Sequence, residues 1–346
     1  MMLSNKKESI AIDGMGGDGA PAAILGGLSK CYVSDFHYII FGNGDVLERY
    51  TFLLPKNMSY EIRHTDVVVT GDMDVLSSLR SGKDSSMGLA IRAVQSGEAR
   101  AVVSSGNTGL YMALAKVLLK TIESIDRPAI ASVIPGLNGK MIFLDLGANT
   151  VCTVKNLLDF AIMGEALARS VFNKKDIKLA LLNIGTEESK GSGLVKKTSE
   201  ILKKFFSNYV GFVEGDDLSK GNVDVVVTDG FTGNVALKTM EGTAKYLIAE
   251  LKNSLSSSFF SRARALFALP SINSFRKKLD PRRYNGAILL GLNGVVVKSH
   301  GNSDDVGFAN AVGFTMNILQ NNIFDRIREQ LEKSKICCAY EYSEEK

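Results

Sequence analysis

The sequence has few of the residues that mark disulfide-linked, metal-binding or disordered proteins. Its 346 residues include only 4 cysteines, 3 histidines and 6 prolines. Cys31, Cys152, Cys337 and Cys338 form no C-x-x-C pair and no metal-ligand group with the histidines. This predicts reduced thiols and no metal site. The 6 prolines against 33 glycines indicate many tight turns rather than flexible linkers.

Long hydrophobic runs are also missing. No stretch approaches the ~20 apolar residues that a membrane-spanning helix requires. The first residues, MMLSNKKESIAID, place lysines but no apolar segment before the first predicted strand, so no signal peptide is predicted. The net charge of +4 is mild and gives no reason to expect nucleic acid. We therefore expect a cytoplasmic, folded protein.

Short apolar runs alternate with amphipathic segments along most of the chain. This alternation predicts one α/β domain over residues 1–346, with a mostly parallel sheet covered by helices on both faces. The predicted strands lie within residues 9–13, 38–42, 99–105, 140–147, 177–185, 223–230 and 294–301, and the clearest helices within 85–97 and 156–172. In such sheets, ligands bind at the carboxyl ends of the strands.

The segment 245–285 differs from the rest because it contains no strand pattern. Its basic residues outnumber its acidic residues nine to two, and leucines recur every four residues from Leu247. This predicts a basic amphipathic helical hairpin inserted in the domain, with its first helix ending near Pro270. Such a surface suits a dimer partner, an anionic membrane or an acidic protein, and the sequence leaves the three open. The expected contact residues are Arg262, Arg264, Arg276, Lys277 and Lys278.

Two strand-end loops combine glycines with small polar residues at a helix start. They are SSGNTG, residues 104–109, and TDGFTGN, residues 228–234. Free N–H groups, hydroxyls and amides at such a place suit a phosphate or an oxyanion, although Ser, Thr and Asn are also preferred helix caps. The occurrence of two similar loops favours a site over two caps. The candidates are Ser105, Gly106, Asn107 and Thr108, with Asp229, Gly230, Thr232, Gly233 and Asn234.

The loop DGMGGDGAP, residues 13–21, follows the first predicted strand. Its spacing is neither the G-x-G-x-x-G fingerprint nor a Walker loop. Gly16 and Gly17 allow close approach of the backbone, whereas Asp13 and Asp18 either orient a ligand or cap the next helix.

Cations lie in three other polar loops. Lys83 precedes Ser85, a predicted helix cap, in residues 79–87, and Lys190 lies in a glycine-bounded loop, residues 183–191. Lys298 and His300 directly follow an apolar strand. These cations could neutralise a phosphate, and His300 could donate a proton or simply bond a backbone carbonyl.

Two further features concern the chemistry. Asp145 and Asn149 end another predicted strand, where a carboxylate usually accepts bonds from loop N–H groups, so a scaffolding role is expected. No Ser-His-Asp or Cys-His grouping is evident. The pattern therefore favours catalysis by positioning and charge stabilisation, without a covalent intermediate on the enzyme.

The sequence resembles the PlsX phosphate acyltransferases through a series of motifs in the same order. These motifs are AIDGMGGDGAP, KDSSM, VVSSGNTG, RPAIA, LDLGAN, NIGTEESKG, GFVEGDD, VVVTDGFTGNVALKTMEG and KSHGNSD. They extend from about residue 10 to about residue 310. The departures are small: Gly14 replaces the family's usual alanine, and GLYMA replaces GALMA.

The resemblance implies a three-layer α/β/α sandwich related to phosphotransacetylase and isopropylmalate dehydrogenase folds. It also implies transfer of a fatty acyl group from acyl carrier protein to inorganic phosphate, with no redox cofactor. The acyl phosphate would serve a membrane glycerol-3-phosphate acyltransferase in phospholipid synthesis. Family members are homodimers that associate peripherally with the membrane.

Combined with the loops, this resemblance suggests roles for individual residues. Ser105, Asn107, Thr108, Thr232 and Asn234 would donate to phosphate or to the developing oxyanion. Lys190 and His300 would supply positive charge. Two rival functions remain at this point: a phosphotransacetylase-like enzyme that uses acyl-coenzyme A, and a non-catalytic scaffold that docks acyl carrier protein at the membrane.

Overall fold

The computed structural model describes residues 7–69, 81–256, 270, 272 and 280–330. Its strands are β1 (Glu8–Asp13), β2 (Phe36–Gly42), β3 (Tyr60–His64), β4 (Ala101–Ser104), β5 (Ala129–Pro135), β6 (Lys140–Leu144), β7 (Leu179–Leu182), β8 (Tyr209–Val213), β9 (Val225–Val227), β10 (Ala287–Leu290) and β11 (Val295–Lys298). Its helices are α1 (Ala22–Lys30), α2 (Gly44–Glu48), α3 (Ser86–Gln95), α4 (Thr108–Leu119), α5 (Val154–Phe172), α6 (Gly193–Phe205), α7 (Gly230–Ser256) and α8 (Asp305–Gln320). Residues 323–330 are also helical.

All these strands form one sheet in the order β3-β2-β1-β4-β11-β10-β5-β6-β9-β7-β8. The neighbours pair in parallel except around the centre, where β10 is antiparallel to β11 and β5, and β5 is antiparallel to β6. The prediction of a mostly parallel sheet is confirmed. We refer below to β3, β2, β1, β4, β11 and β10 as the first half of the sheet, and to the other strands as the second half.

The sequence pattern missed four strands for two physical reasons. β3 and β8 are the edge strands, and they are only partly buried, so neither reads as a continuous apolar run. β10 and β5 belong to the antiparallel centre. β10 is joined to β11 by a short turn, so no helix separates them to signal a second strand.

Helices cover both faces of the sheet, as the three-layer prediction requires. Alternate residues of β1 enter two separate hydrophobic cores, with Ile10 and Ile12 on one face and Ala11 on the other. The first core is closed by α1, α5 and α8, and the second by α3 and α4. α7 packs Ala236, Leu237 and Met240 against this second core. Therefore α3, α4 and α7 share one face of the sheet.

The predicted hairpin begins inside a longer helix. α7 starts at Gly230, directly after β9, and continues through Lys245 to Ser256. After α7, Pro270 and Ile272 are helical, and Pro281–Tyr284 form a 3₁₀ turn. The described part of residues 245–285 contains no strand. Arg262, Arg264, Arg276, Lys277 and Lys278 lie outside the described residues.

The described part of the chain contains no helix that is both long and apolar enough to cross a bilayer.

Cys31 and Cys152 are free thiols in the structure. Cys337 and Cys338 fall outside the described ranges.

Asp145 organises the loop that joins β6 to α5. Its buried carboxylate accepts hydrogen bonds from the backbone N–H groups of Ile130, Gly147, Ala148 and Asn149 at 2.7–3.2 Å, and from the Asn149 side chain at 2.8 Å. Burial raises the pKa of Asp145, while these donors lower it. These contacts agree with the scaffolding role that the sequence suggested.

Replacing Asp145 by alanine should destabilise the fold strongly, because five N–H donors, three of them in buried hydrogen bonds, lose their acceptor together. We expect a loss of roughly 3–5 kcal/mol in the free energy of unfolding, measured by urea denaturation. Asp176→Ala, which removes an exposed carboxylate, is the control and should change stability by less than about 0.5 kcal/mol. Equal effects of the two variants would remove Asp145 from this structural role.

Candidate active site

Three polar side chains form a row across the carboxyl ends of adjacent parallel strands in the first half of the sheet. The row consists of Asp13 on β1, Ser104 on β4 and Lys298 on β11. Lys298 lies opposite Ser104 in the strand register, and Asp13 follows the paired residues Ile12 and Val103. Strand alternation directs all three side chains to the face that carries α3, α4 and α7.

Asp13 is only 1% exposed and is held from two sides. The hydroxyl of Ser86, the first residue of α3, donates to one carboxylate oxygen at 2.7 Å, and the Ser104 hydroxyl donates to the other at 2.6 Å. The N–H of Met15 adds a third, longer bond. Burial raises the pKa of Asp13, whereas the two serines and the charge of Lys298 lower it. Asp13 thus ties β1 to β4 and to the start of α3.

Lys298 is a buried cation, 7% exposed. Its ammonium group donates to the carbonyl of Ser299. Burial lowers the pKa of Lys298 to about 8, because the charged form loses hydration that the nearby Asp13 only partly replaces. Binding of an anion beside this buried ammonium group would be favourable, because the anion would compensate its charge.

Ser105 has the unsatisfied polar group of the site. It is 2% exposed, and its hydroxyl has no hydrogen-bond partner. Around it, glycines let three loops converge: a Cβ placed on Gly17 would lie 2.8 Å from Ser105 Cβ and 2.8 Å from the Gly301 carbonyl oxygen. Buried hydroxyls are normally paired, so an unpaired one in the loop between β4 and α4 points to a ligand.

A second cation approaches from α7. Lys238 is half exposed and forms an ion pair with Glu241 at 2.9 Å. Burial is the main cause of the lowered pKa of Lys298 and of His300, and the positive charge of Lys238 contributes to both. The helix that carries Lys238 begins in the second half of the sheet and contacts β6 there.

His300 lies on an exposed loop after β11. Burial of part of the ring, followed by the charge of Lys238, lowers its pKa. The ring is therefore mainly neutral at pH 7. Its Nδ1 accepts a long bond from the N–H of Asn302 at 3.4 Å, which places the proton of the neutral ring on Nε2. The expectation that His300 supplies positive charge does not fit this environment, whereas a hydrogen-bond donor does.

The other first-half candidates surround this row. The Gly16 backbone lies against the Asp13 carboxylate and the Gly106 N–H, and the exposed Asp18 donates its N–H to Gly301. Asn107 and Thr108 are exposed at the start of α4, where Asn107 caps the helix by accepting from Leu110 at 3.0 Å.

Ser85 is a helix cap in the structure. Its hydroxyl accepts from Gly88 and donates to Gly82 at 2.6 Å, so the predicted ligand role competes with two existing bonds. Lys83, two residues earlier, is partly exposed. Ser86, rather than Ser85, reaches Asp13.

The second group of candidates lies at the end of β9 and β7. Asp229 accepts from the N–H and the hydroxyl of Thr232, a local capping arrangement at the start of α7. Gly230 donates to the carbonyl of Asn149, and the Gly233 backbone lies close against Asp145. Asn234 approaches Gly147 and is exposed, and Lys190 is exposed in its loop after β7.

The two glycine loops are therefore not neighbours in the sheet. β11, β10, β5 and β6 lie between β4 and β9. Five strand-to-strand steps correspond to roughly 24 Å along the sheet. α7 starts at the second loop and packs Ala236, Leu237 and Met240 against the hydrophobic core that also contains α3 and α4.

Sequence reasoning missed Ser86, Lys238 and Glu241, and it gave Lys298 less weight than His300. Ser86 resembles any first residue of a helix, and Lys238 lies in the middle of one. The sequence signal for Lys298 was its position as the last residue of an apolar strand. Strand alternation directs the side chain at that position into the protein.

Three residues depart from the resemblance, Gly14, Leu110 and Tyr111, and all three are buried. Gly14 packs against Leu47 and Ile40, and a Cβ there would lie 2.9 Å from the Leu47 side chain. Tyr111 is fully buried, and its hydroxyl lies 3.2 Å from the Val102 carbonyl and 3.3 Å from that of Val297. Tyr111 thus ties α4 to the β4 and β11 strands beneath the row.

The arrangement suits an anion better than a metal ion. Within residues that the structure describes, no group of three or more His, Cys, Asp or Glu side chains could hold a metal. The site instead offers an unpaired hydroxyl, backbone N–H groups at a helix start and the buried Lys298.

Comparison with solved structures identifies the same fold in phosphotransacetylases. The EutD phosphotransacetylase from Staphylococcus aureus has a TM-score of 0.56 at 15% identity, covering 92% of this chain and 95% of that one. A phosphotransacetylase from Streptococcus pyogenes has a TM-score of 0.58 at 17% identity, covering 90% and 93%. A 4-hydroxythreonine-4-phosphate dehydrogenase from Klebsiella pneumoniae has a TM-score of 0.50 at 14% identity, covering 90% and 99%. At these identities the likeness concerns the fold.

Comparison of sequences identifies the family. The family model described as "Fatty acid synthesis protein" matches residues 9–326. The chain is 46% identical over 329 residues to a phosphate acyltransferase of Granulibacter bethesdensis, covering 94% of this chain and 89% of that protein. It is 45% identical over 327 residues to a phosphate acyltransferase of Methylococcus capsulatus, covering 93% and 96%. The chain belongs to the PlsX family of phosphate acyltransferases.

Proposed function

We propose that this protein transfers a fatty acyl group from acyl carrier protein to inorganic phosphate, giving an acyl phosphate for phospholipid synthesis. An oxygen of phosphate attacks the thioester carbonyl carbon, a C–O bond forms, the C–S bond breaks, and the carrier leaves as a thiolate. Since phosphate is the nucleophile, the enzyme needs no nucleophilic side chain. Its task is to hold a dianion beside a thioester.

The observation that carries this proposal is the unpaired, buried hydroxyl of Ser105, which directly follows Ser104, the residue opposite the buried Lys298 in the strand register. In this proposal the phosphate lies over the Asp13–Ser104–Lys298 row, where Ser105, Thr108 and the N–H groups at the start of α4 donate to it. Lys298 supplies the charge, and Asp13 fixes the serines and the lysine. Gly16, Gly17 and Gly106 allow the loops to close around the anion.

The developing oxyanion needs its own donors. Thr232 and Asn234 at the start of α7, together with Asn107, are our candidates, and Lys190 would attract the acidic carrier from its exposed loop. Neutral His300 would donate its Nε2 proton within the site. The leaving thiolate requires no positive imidazole, because a thiolate is a moderately stable anion near neutral pH.

The basic segment 245–285 suits an anionic surface. Its arginines and lysines, with leucines every four residues, support peripheral attachment to the inner face of the cell membrane and contact with acyl carrier protein.

Exposed apolar residues of α7, among them Phe231, Val235 and Tyr246, favour a homodimer in which a second copy covers them. A molecular mass by sedimentation equilibrium equal to that of one chain would exclude the dimer.

The reaction is tested by incubating the protein with palmitoyl-acyl carrier protein, with and without inorganic phosphate, while free thiol is measured. Hydroxylamine should trap the acyl phosphate as a hydroxamate. Phosphate-dependent thiol release with trapped product is expected. Turnover of palmitoyl-coenzyme A alone would indicate the phosphotransacetylase-like function, and carrier binding without turnover would indicate a scaffold.

Ser105→Ala should raise the phosphate KM by roughly 10–100-fold, because a hydrogen bond to a charged group contributes about 1.5–3 kcal/mol. Its stability should change little, since the hydroxyl has no partner in the protein. Ser170→Ala is a matched control, because Ser170 on α5 is also 2% exposed and its hydroxyl is also unpaired. Ser105 is excluded from the phosphate site if both variants keep the wild-type KM.

Phosphate affinity should fall as pH rises through about 8, where Lys298 loses its proton. The sign follows from the lowered pKa: the ammonium form is present below about 8 and is lost above it, whereas phosphate is already a dianion. Asp13, Lys238 and His300 also face this group. Lys298→Met should bind phosphate weakly at every pH from 7 to about 10, without this fall. A persistent fall in the variant would assign the titration to another group.

Membrane attachment can be tested by replacing Arg276, Lys277 and Lys278 together by glutamate. Each basic residue near an anionic surface contributes about 1 kcal/mol, so the triple charge reversal should abolish cosedimentation with phosphatidylglycerol vesicles. Neutral phosphatidylcholine vesicles provide the baseline. Undiminished binding of the variant to the anionic vesicles would contradict a role for these residues.

A further inference from the structure

The peptide group between Ser299 and His300 is hydrogen-bonded at both ends. Its carbonyl accepts from the Lys298 ammonium group, and its N–H donates to the side-chain oxygen of Asn285 at 2.9 Å. The C=O and N–H of a planar trans peptide point in opposite directions, so a partner that holds the N–H also fixes the direction of the carbonyl. Asn285 and Lys298 therefore lie on opposite sides of one peptide group.

The amide nitrogen of Asn285 holds the rest of the loop between β11 and α8. This nitrogen lies 2.8 Å from Ser299 Oγ, 3.0 Å from Ser303 Oγ and 2.8 Å from the Gly307 carbonyl oxygen. The Ser299 hydroxyl also donates to Ser303 at 3.1 Å. One partly buried amide thus connects both ends of the loop and the first turn of α8.

Asn285 is itself fixed by the turn that precedes it. In this turn Arg282 pairs with Asp280 at 2.6 Å and with Asp304 at 2.7 Å. Asn310 of α8 donates to the Arg282 carbonyl at 2.9 Å. These contacts hold the backbone on the amino-terminal side of Asn285 against α8, so the amide approaches the loop from a fixed position.

We propose that Asn285 is a positioning residue for phosphate binding, which orients the peptide between Ser299 and His300 so that its carbonyl holds the Lys298 ammonium group in the site. This inference rests on the proposed function. Asn285 acts through Lys298 and does not touch the phosphate. It is also the last residue of the basic segment 245–285, so the segment proposed to contact the membrane ends at a contact with the phosphate site.

The effect of losing this amide should be local. The Ser299 N–H donates to the Ser104 carbonyl at 2.9 Å, so Ser299 stays attached to β4 when Asn285 is removed. The peptide that follows is then free to turn, because its N–H has lost its acceptor. Lys298 would lose its carbonyl partner, although the strand that carries it remains paired with β4.

The direct test is steady-state kinetics of the full-length protein with palmitoyl-acyl carrier protein and inorganic phosphate. Asn285→Ala should raise the KM for phosphate about tenfold, which corresponds to the loss of one hydrogen bond to a charged group. The KM for the carrier protein should stay unchanged. Asn310→Ala is the matched control, because it removes another partly buried asparagine that holds Arg282 but does not contact the loop. It should keep both KM values.

A double-mutant cycle separates this role from a general structural one. In the Lys298→Met background, Asn285→Ala should raise the KM for phosphate little further, because the lysine through which it acts is already missing. A structural defect that acts independently of Lys298 would instead raise the KM by the same factor in both backgrounds.

The pH dependence of phosphate affinity gives a second readout. Wild-type affinity should fall as pH rises through about 8, the pKa of Lys298. In Asn285→Ala the fall should begin at lower pH, because an ammonium group without its carbonyl acceptor loses its proton more readily. The charged or titratable groups that face Lys298 are Asp13 of β1, Lys238 of α7 and His300 of the loop, and all are unchanged in this variant.

Urea denaturation of each variant shows whether it is folded. If Asn285→Ala does not fold, Asn285→Ser takes its place with the same expectations, because the shorter serine side chain keeps a polar group but does not extend to the His300 N–H.

The inference fails if the folded Asn285 variant keeps the wild-type KM for phosphate and the wild-type pH dependence while Lys298→Met binds phosphate weakly. It also fails if Asn310→Ala raises this KM equally, or if the cycle shows no coupling to Lys298. Failure of the proposed function is a different result: the wild-type protein itself would release no thiol in response to phosphate.

Discussion

The site depends on the pairing of Asp13 with the hydroxyls of Ser86 and Ser104, opposite the buried Lys298. These two hydrogen bonds, at 2.7 and 2.6 Å, connect the ends of β1 and β4 to the start of α3. They also keep the Asp13 carboxylate occupied, so it only partly compensates the burial of Lys298. This partly uncompensated charge on Lys298 favours the binding of an anion. Ser105, whose hydroxyl is unpaired, directly follows Ser104 in the chain. The loops can converge there only because Gly17 has no side chain, since a Cβ at Gly17 would lie 2.8 Å from Ser105 Cβ and from the Gly301 carbonyl oxygen.

The arrangement of the sheet explains why the site needs α7. The SSGNTG and TDGFTGN loops end strands that are separated by β11, β10, β5 and β6, so neither loop alone can hold both the nucleophile and the thioester. We propose that residues in the first half of the sheet bind the phosphate and that residues at the start of α7 bind the acyl group. The Asp145 carboxylate and Gly233 fix that start against β6, so the second half also provides a rigid base.

The sequence predicted the α/β class, the parallel strands and most of the polar loops, because buried strands and helix starts have strong local patterns. It could not predict that the two glycine loops lie far apart, since strand order is a long-range property. Edge strands β3 and β8 lacked the apolar continuity on which the prediction relied, and β10 lacked a helix separating it from β11. Ser85 and Asp229 have the residue types of a ligand site, yet their side chains serve as local caps. Conversely, Ser86 has no local signal, because only tertiary packing brings its hydroxyl to Asp13.

The most direct test of the account is a crystal structure of the protein grown or soaked with inorganic phosphate. We predict one phosphate over the Asp13–Ser104–Lys298 row, with its oxygens about 2.7–3.0 Å from Ser105 Oγ and Lys298 Nζ. Phosphate bound instead at Thr232 and Asn234 after β9, with Ser105 still unpaired, would contradict the central claim.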